Sequence, residues 1–242
     1  MKHPSCAFVS LILFILVASP LFAQGIPPSK GSLEFSYLET SGNTNSQSFL
    51  LAGKGEQAWE NSKLEGEVKA LYGKKNDVTS DKSWMLRLKY DENITELTYS
   101  FISEVVERDV LKGIEIRSIS MLGLGHYFLK NETDTFKGEV SAGYTRENPV
   151  APFPDRGFPV ARLFGGYVHT FAEKTRFEQT AEYLPNLKEA KDYLVNEESA
   201  FITSLMGNLA FKISYAIFYD NLPPPTFHKT DRLFKSSLLM TF

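Results

Sequence analysis

Three histidines, His126, His169 and His228, are the side chains of this 242-residue sequence best suited to catalysis or metal binding outside its first stretch. No two of them stand at a metal-ligand spacing, and no cysteine supports them. The one cysteine, Cys6, lies in the leader, so the remaining chain has no disulfide, no thiolate ligand and no Cys nucleophile. A serine hydrolase needs its Ser beside a base and an orienting partner. No local motif of that kind occurs, and in particular no His is followed closely by Ser on a late segment. The expectation is no catalytic residue, no metal site and no cofactor. A triad assembled from distant residues stays open as an alternative.

What remains is charge. Glu65, Glu67, Lys69, Arg87, Lys89, Glu96, Glu104, Arg117, Lys137, Glu139, Arg176, Glu178, Glu182, Lys212 and Lys235 each fall on the polar side of an alternating pattern. Such a row can pair with itself and fill an interior. It can also stay partly unpaired and form a constriction that passes small solutes, as charged rings do in selective channels.

The elements that position these charges follow from a period of two, the periodicity of a strand whose successive side chains point to opposite faces. Leu209, Phe211, Ile213, Tyr215, Ile217 and Tyr219 alternate with Ala210, Lys212, Ser214, Ala216, Phe218 and Asp220. Leu64 to Tyr72 alternate with Lys63 to Lys69, and Trp84, Leu86, Leu88 and Tyr90 with Ser83, Arg87, Lys89 and Asp91. Leu97, Tyr99 and Phe101 alternate with Glu96, Thr98 and Ser100. The division continues in Phe136 to Tyr144 against Lys137 to Ser141, and in Phe177, Ala181 and Tyr183 against Arg176, Glu178 and Glu182.

Strands are placed at 31–41, 46–59, 63–73, 82–91, 94–106, 113–129, 134–146, 158–171, 175–184, 192–205, 209–220 and 230–242. About ten residues tilted by about 45° cover roughly 23 Å, close to the apolar band of a membrane barrel. The class is all-β: an antiparallel up-and-down transmembrane β-barrel of about 12 strands. Facing lipid, Lys or Arg costs roughly 2–4 kcal/mol at the midplane, so the polar row must face the lumen.

The connections alternate in length. Those at 60–62, 91–93, 130–133, 172–174 and 206–208 are short, while 73–81, 107–112, 147–157, 185–191 and 221–229 are long or carry breakers. The connection at 42–45 is the exception. Short periplasmic turns and long outer loops are the habit of outer-membrane barrels. Aromatics near strand ends, Trp59, Tyr72, Trp84, Tyr90, Tyr99, Tyr127, Tyr144, Tyr167, Tyr183 and Tyr219, would form two interfacial girdles.

Both ends of the chain read as targeting signals. Lys2 precedes an apolar stretch from Ala7 to Phe22, which reads as a signal peptide over 1–23 with the barrel domain over 24–242. Without Lys2 the balance is 25 Lys and Arg against 29 Asp and Glu. These charges are mixed along the chain, so nucleic acid is not an expected partner. At the other end, Phe234, Leu238, Met240 and Phe242 share a face that stops at the last residue. This resembles the C-terminal signal read by the barrel-assembly machinery.

The chain as a whole resembles the salt-induced outer-membrane proteins, domain-of-unknown-function family 481. The resemblance rests on Ser41, Gly42, Asn43, Thr44 and Asn45, on Gly123 to Tyr127, and on Tyr219, Asp220 and Asn221 through Pro223 and Pro224 to Lys229, Thr230 and Asp231. It implies a barrel and no settled activity.

The expected protein is therefore a non-enzymatic, monomeric barrel in the outer membrane of a Gram-negative bacterium. Its partners would be outer-membrane lipids, the assembly machinery and small polar solutes, with a structural or narrow-pore role. Two alternatives predict different behaviour. A barrel hydrolase would turn over lipid or peptide, and a periplasmic lipocalin-like protein would be soluble without detergent.

Overall fold

The computed structural model describes residues 29–41, 46–75, 78–172, 174–225 and 227–242. The leader expected at 1–23 and the turn at 42–45 lie outside these residues.

Twelve strands follow one another in the chain: β1 (Ser29–Ser41), β2 (Ser46–Ala58), β3 (Ser62–Lys75), β4 (Val78–Asn93), β5 (Thr98–Asp109), β6 (Ile114–Lys130), β7 (Asp134–Pro149), β8 (Arg156–Ala172), β9 (Thr175–Pro185), β10 (Tyr193–Met206), β11 (Leu209–Asp220) and β12 (Thr230–Thr241). Each pairs antiparallel with its sequence neighbour. β1 also pairs with β12, so the sheet is a closed barrel with no free edge. Among the described residues no helix is long and apolar enough to cross a membrane.

One end of the barrel has tight turns. In the β6–β7 turn, Asn131 Oδ1 accepts the backbone N–H of Thr133 at 3.0 Å and of Asp134 at 2.7 Å. This replaces two backbone partners that the strands cannot supply there. Thr95 Oγ1 does the same for the N–H groups of Leu97 and Thr98 in the β4–β5 turn. The other end carries a short 3₁₀ turn at Val110–Lys112 and the loops at 150–155, 186–192 and 221–229.

Closure is sealed by the last residue. Phe242 and Gly31 exchange backbone hydrogen bonds, 2.8 Å from the Gly31 N–H and 2.9 Å from the Phe242 N–H. The Phe242 ring covers Gly31 so closely that a Cβ there would overlap it. Phe234, Leu238, Met240 and Phe242 all face outward, as their shared parity requires.

Every strand contributes exposed apolar or aromatic side chains to the outer face. Leu33, Phe35, Leu51, Val68, Leu122, Val140, Leu163 and Ile213, from seven strands, are all exposed. Soluble monomers rarely expose contiguous apolar patches beyond a few hundred Å². A surface of this kind matches lipid. Tyr72, Trp84 and Tyr144 stand toward the long-loop end of that face, and Tyr90 and Tyr167 toward the tight-turn end.

One strand reverses the sequence expectation. Tyr99 and Phe101 are 3% and 2% exposed and point into the lumen, while Ile102 faces out. Because the side-chain period is two, fixing one residue fixes the strand. Glu104 therefore belongs to the outer face, and Glu96 sits exposed in the turn at 94–97, so neither lines the lumen. Tyr99 and its neighbour Tyr127, rings 5.7 Å apart, leave the expected girdle for the same reason. The cause lies on β6, where Gly123 pairs with Phe101 and Gly125 with Tyr99. A Cβ on Gly125 would overlap the Tyr99 ring, and one on Gly123 would come to 2.7 Å from Phe101. Two missing side chains make a floor on which two inward rings lie flat.

Candidate functional site: the charged lumen

The interior holds paired charges at several levels, each positioned by the alternation described above. On β4, Lys89 Nζ lies 4.8 Å from the Tyr99 ring centroid and 4.6 Å from that of Phe101. It reaches over them to Glu139 Oε1 of β7 at 3.0 Å and to Asp91 at 2.7 Å. Glu139 also accepts Tyr99 Oη at 2.7 Å and Arg162 Nη1 at 2.8 Å, with Lys137 Nζ at 3.7 Å. Arg162 continues to Glu182 on β9. Three cations and a phenol thus meet one carboxylate, itself buried, and through Arg162 the network spans strands β4 to β9.

A second group closes the seam. Glu34 of β1 receives Lys212 Nζ at 3.2 Å from β11 and Ser237 Oγ at 2.8 Å from β12. Lys235 Nζ donates to Glu198 Oε1 at 2.6 Å, passing over β11 at Ser214 and Ala216. Toward the long-loop end, Arg117 bridges Glu107 (2.7 Å) and Glu147 (3.3 Å). Arg156 bridges Glu147 (2.8 Å) and Asp192 (3.0 Å). At the tight-turn end, Arg176 Nε donates to Glu178 at 2.7 Å, and Lys63 pairs with Glu65.

Thirteen of the fifteen expected lining charges, all but Glu96 and Glu104, therefore sit on the inward face. The reading by alternation passed over Glu34, Glu107, Glu147, Arg162 and Glu198. The signal was present. Glu34 alternates with Phe35, but its inward companions Ser36 and Leu38 are mixed in polarity. Arg162 stands between Val160 and Phe164, which also point inward, so β8 carries no clean oily and wet sides.

Between these groups runs a cavity of about 390 Å³. It extends from Pro223, Phe227 and Lys229 of the last long loop, past Leu38, Leu50, Met121 and Leu184, to Glu65, Lys89 and Lys137 in the tight-turn half. Its wall carries charged side chains at both ends, Arg108, Lys112 and Arg117 near the long loops and Glu65, Lys89 and Lys137 in the tight-turn half, with an apolar belt of Leu38, Leu50, Met121 and Leu184 between them.

The histidines stay apart. His126 Nδ1 lies 2.8 Å from Thr98 Oγ1 on the outer face, and His169 Nδ1 lies 2.8 Å from Asp134, which also accepts Tyr167 Oη at 2.7 Å. His228 lies beside the cavity mouth. Among the described residues, no group of three or more His, Cys, Asp or Glu is placed to hold a metal.

Residues 33–242 match the family described as "Protein of unknown function, DUF481". The chain belongs to that family. A relative with 24% identity over 214 residues, spanning 88% of this chain and 81% of its own length, is the uncharacterized protein YdiY of Escherichia coli (strain K12). Solved barrels resemble this DUF481 chain in fold. The NanC porin superposes with a TM-score of 0.61 at 8% identity, over 86% of this chain and 98% of the porin. The KdgM porin, in complex with disordered oligogalacturonate, gives 0.52 at 11% identity over 87% and 99%. The translocator domain of the autotransporter NalP from Neisseria meningitidis gives 0.50 at 10% identity over 98% and 96%. At these identities the likeness establishes the barrel architecture.

Proposed function

We propose that this DUF481 chain is a monomeric outer-membrane barrel whose lumen is a narrow pore for small polar solutes. The observation that carries the reading is the cavity entered among the long loops and lined with ionised side chains at both ends. An interior built for stability alone is served as well by packed apolar residues, because burying ion pairs costs desolvation. Charge retained along a cavity is what polar solute passage uses.

Export behind residues 1–23, folding by the barrel-assembly machinery through the Phe234–Phe242 face, and contact with outer-membrane lipids complete the proposal. The long-loop end would face outside and the tight turns the periplasm. Induction by salt, which the family resemblance implies, is part of it and is read by the level of the protein in cells moved to high-salt medium.

The test is planar-bilayer recording of the purified, refolded mature chain. The reading expects discrete conductance steps, smaller than those of wide aqueous porins. A silent bilayer, with the protein shown to be inserted, would overturn it.

A further inference from the structure

Lys54, Glu67 and Arg87 are directly paired neighbours in one row across β2, β3 and β4, and Lys69 follows Glu67 on the same face. Three cations thus converge on one carboxylate. Lys69 Nζ and Lys54 Nζ stand 3.1 and 3.4 Å from Glu67 Oε1, and Arg87 Nη1 stands 3.4 Å from Oε2. Charge-assisted hydrogen bonds close to roughly 2.7–2.9 Å when fully made, so these contacts are loose. The side-chain exposures are opposite in sense: 8% for Glu67 against 59%, 34% and 44% for Lys54, Lys69 and Arg87.

The neighbouring carboxylates have other partners. Glu65 pairs with Lys63, Glu107 with Arg117, and Glu198 with Lys235 and Lys212. Within direct contact distance, one negative charge thus faces three positive ones, on side chains that project into the lumen. Lys69 and Arg87 are part of the cavity wall.

We infer that Lys54, Lys69 and Arg87 form an anion subsite on the inner wall, which takes a carboxylate or phosphate group carried by a small polar solute. Glu67 acts as its base plate: it holds the three cations together against their mutual repulsion and offers the ligand no acceptor of its own. An anion arriving above Glu67 adds a second negative charge against the three cations and gains the exposed donors. The arginine offers a planar pair of N–H groups for a carboxylate, and the lysines act as point charges. This subsite rests on the pore reading for its role, but its binding chemistry stands apart from conduction.

Two measurements separate the two. Titration of the refolded full mature chain with inorganic phosphate, and separately with citrate, followed by calorimetry, should give binding that weakens with added salt. Lys69→Gln and Arg87→Gln should each weaken it by roughly threefold to tenfold, the scale of one ordinary hydrogen bond, as suits donors that stay half-exposed. Glu67→Gln should tighten it, an outcome that a merely structural role would not produce. Each variant is first shown to be folded by its heat-modifiable gel migration. In bilayers under a KCl gradient, the reversal potential should favour chloride and move toward cations in the Lys54→Gln, Lys69→Gln, Arg87→Gln triple variant. Binding without conductance would remove the pore and leave the subsite. Conductance with no anion binding and a reversal potential indifferent to the triple variant would overturn the subsite and leave the pore.

Discussion

Lys89 on β4 and Glu139 on β7 meet at 3.0 Å across two intervening strands. That reach is possible because β5 places the flat faces of Tyr99 and Phe101 beneath the lysine and β6 places Gly123 and Gly125 beneath the rings. The ion pair, the two aromatics and the two glycines are one construction, and each layer is required by the one above it.

Adding a side chain to the glycine floor should therefore disturb the charged lumen from a distance. Gly125→Val drives a branched side chain into the Tyr99 ring, and overpacking of this kind costs about 1–3 kcal/mol. Urea unfolding in detergent should show that loss. Gly165→Val on β8, where a Cβ meets nothing within 4 Å, should show little of it.

Glu139 serves three cations and a phenol, so its removal should be worse than the removal of any one partner. Glu139→Ala leaves buried positive charge uncompensated, a situation that costs roughly 3–5 kcal/mol. Lys89→Met should cost less, because Arg162 and Tyr99 still satisfy the carboxylate. Combining the two should cost less than the sum of the single changes. A double-mutant cycle on the same unfolding transition measures the coupling. Additive effects would mean that the two residues do not interact.

On the outer face the polarity argument works in the opposite direction. Glu104 pairs across the sheet with Leu88 and Ser120, and among the described residues its Oε1 has no hydrogen-bond partner. A carboxylate among lipid-facing side chains is a cost, smaller than that of Lys or Arg at the same depth. Glu104→Leu should stabilise the inserted barrel by roughly 1 kcal/mol. Unchanged or reduced stability on unfolding from vesicles would count against lipid contact there.

Much of this was legible in the chain. The strand placements for β3, β7, β9 and β11 stand within a few residues of the observed ones, because clean alternation, tight turns and an apolar outer row agree there. β5 failed for a physical reason. Alternation reveals two faces but not which one is inside, and the assignment assumed that aromatics face lipid. The deciding information for Tyr99 and Phe101 lies on another strand, in the glycines of β6. The loose cations around Glu67 were visible as residues, but their ratio of three to one depends on the β2–β3–β4 register.

The C-terminal face makes a separate prediction. Phe242 both covers Gly31 and ends the outward row, so deleting it should remove a seam contact and the terminal aromatic at once. The expected result is a lower level of folded protein in the outer-membrane fraction, with export into the periplasm unchanged. Phe242→Tyr, which keeps the ring, should restore most of it. Equal membrane levels for the deletion and the unaltered chain would show that this residue is dispensable for assembly.

The orientation of the two faces is open to direct reading, since Cys6 is the single cysteine of the sequence and lies outside the barrel strands. Single cysteines at Leu122, Ile102, Lys69 and Ser103 can be labelled with an environment-sensitive fluorophore after insertion into vesicles that contain lipid-attached quenchers. The structure requires strong quenching at 122 and 102, and access for a water-soluble thiol reagent at 69 and 103. Quenching at 69 and 103, with aqueous labelling at 122 and 102, would contradict the inside-out arrangement on which the account depends.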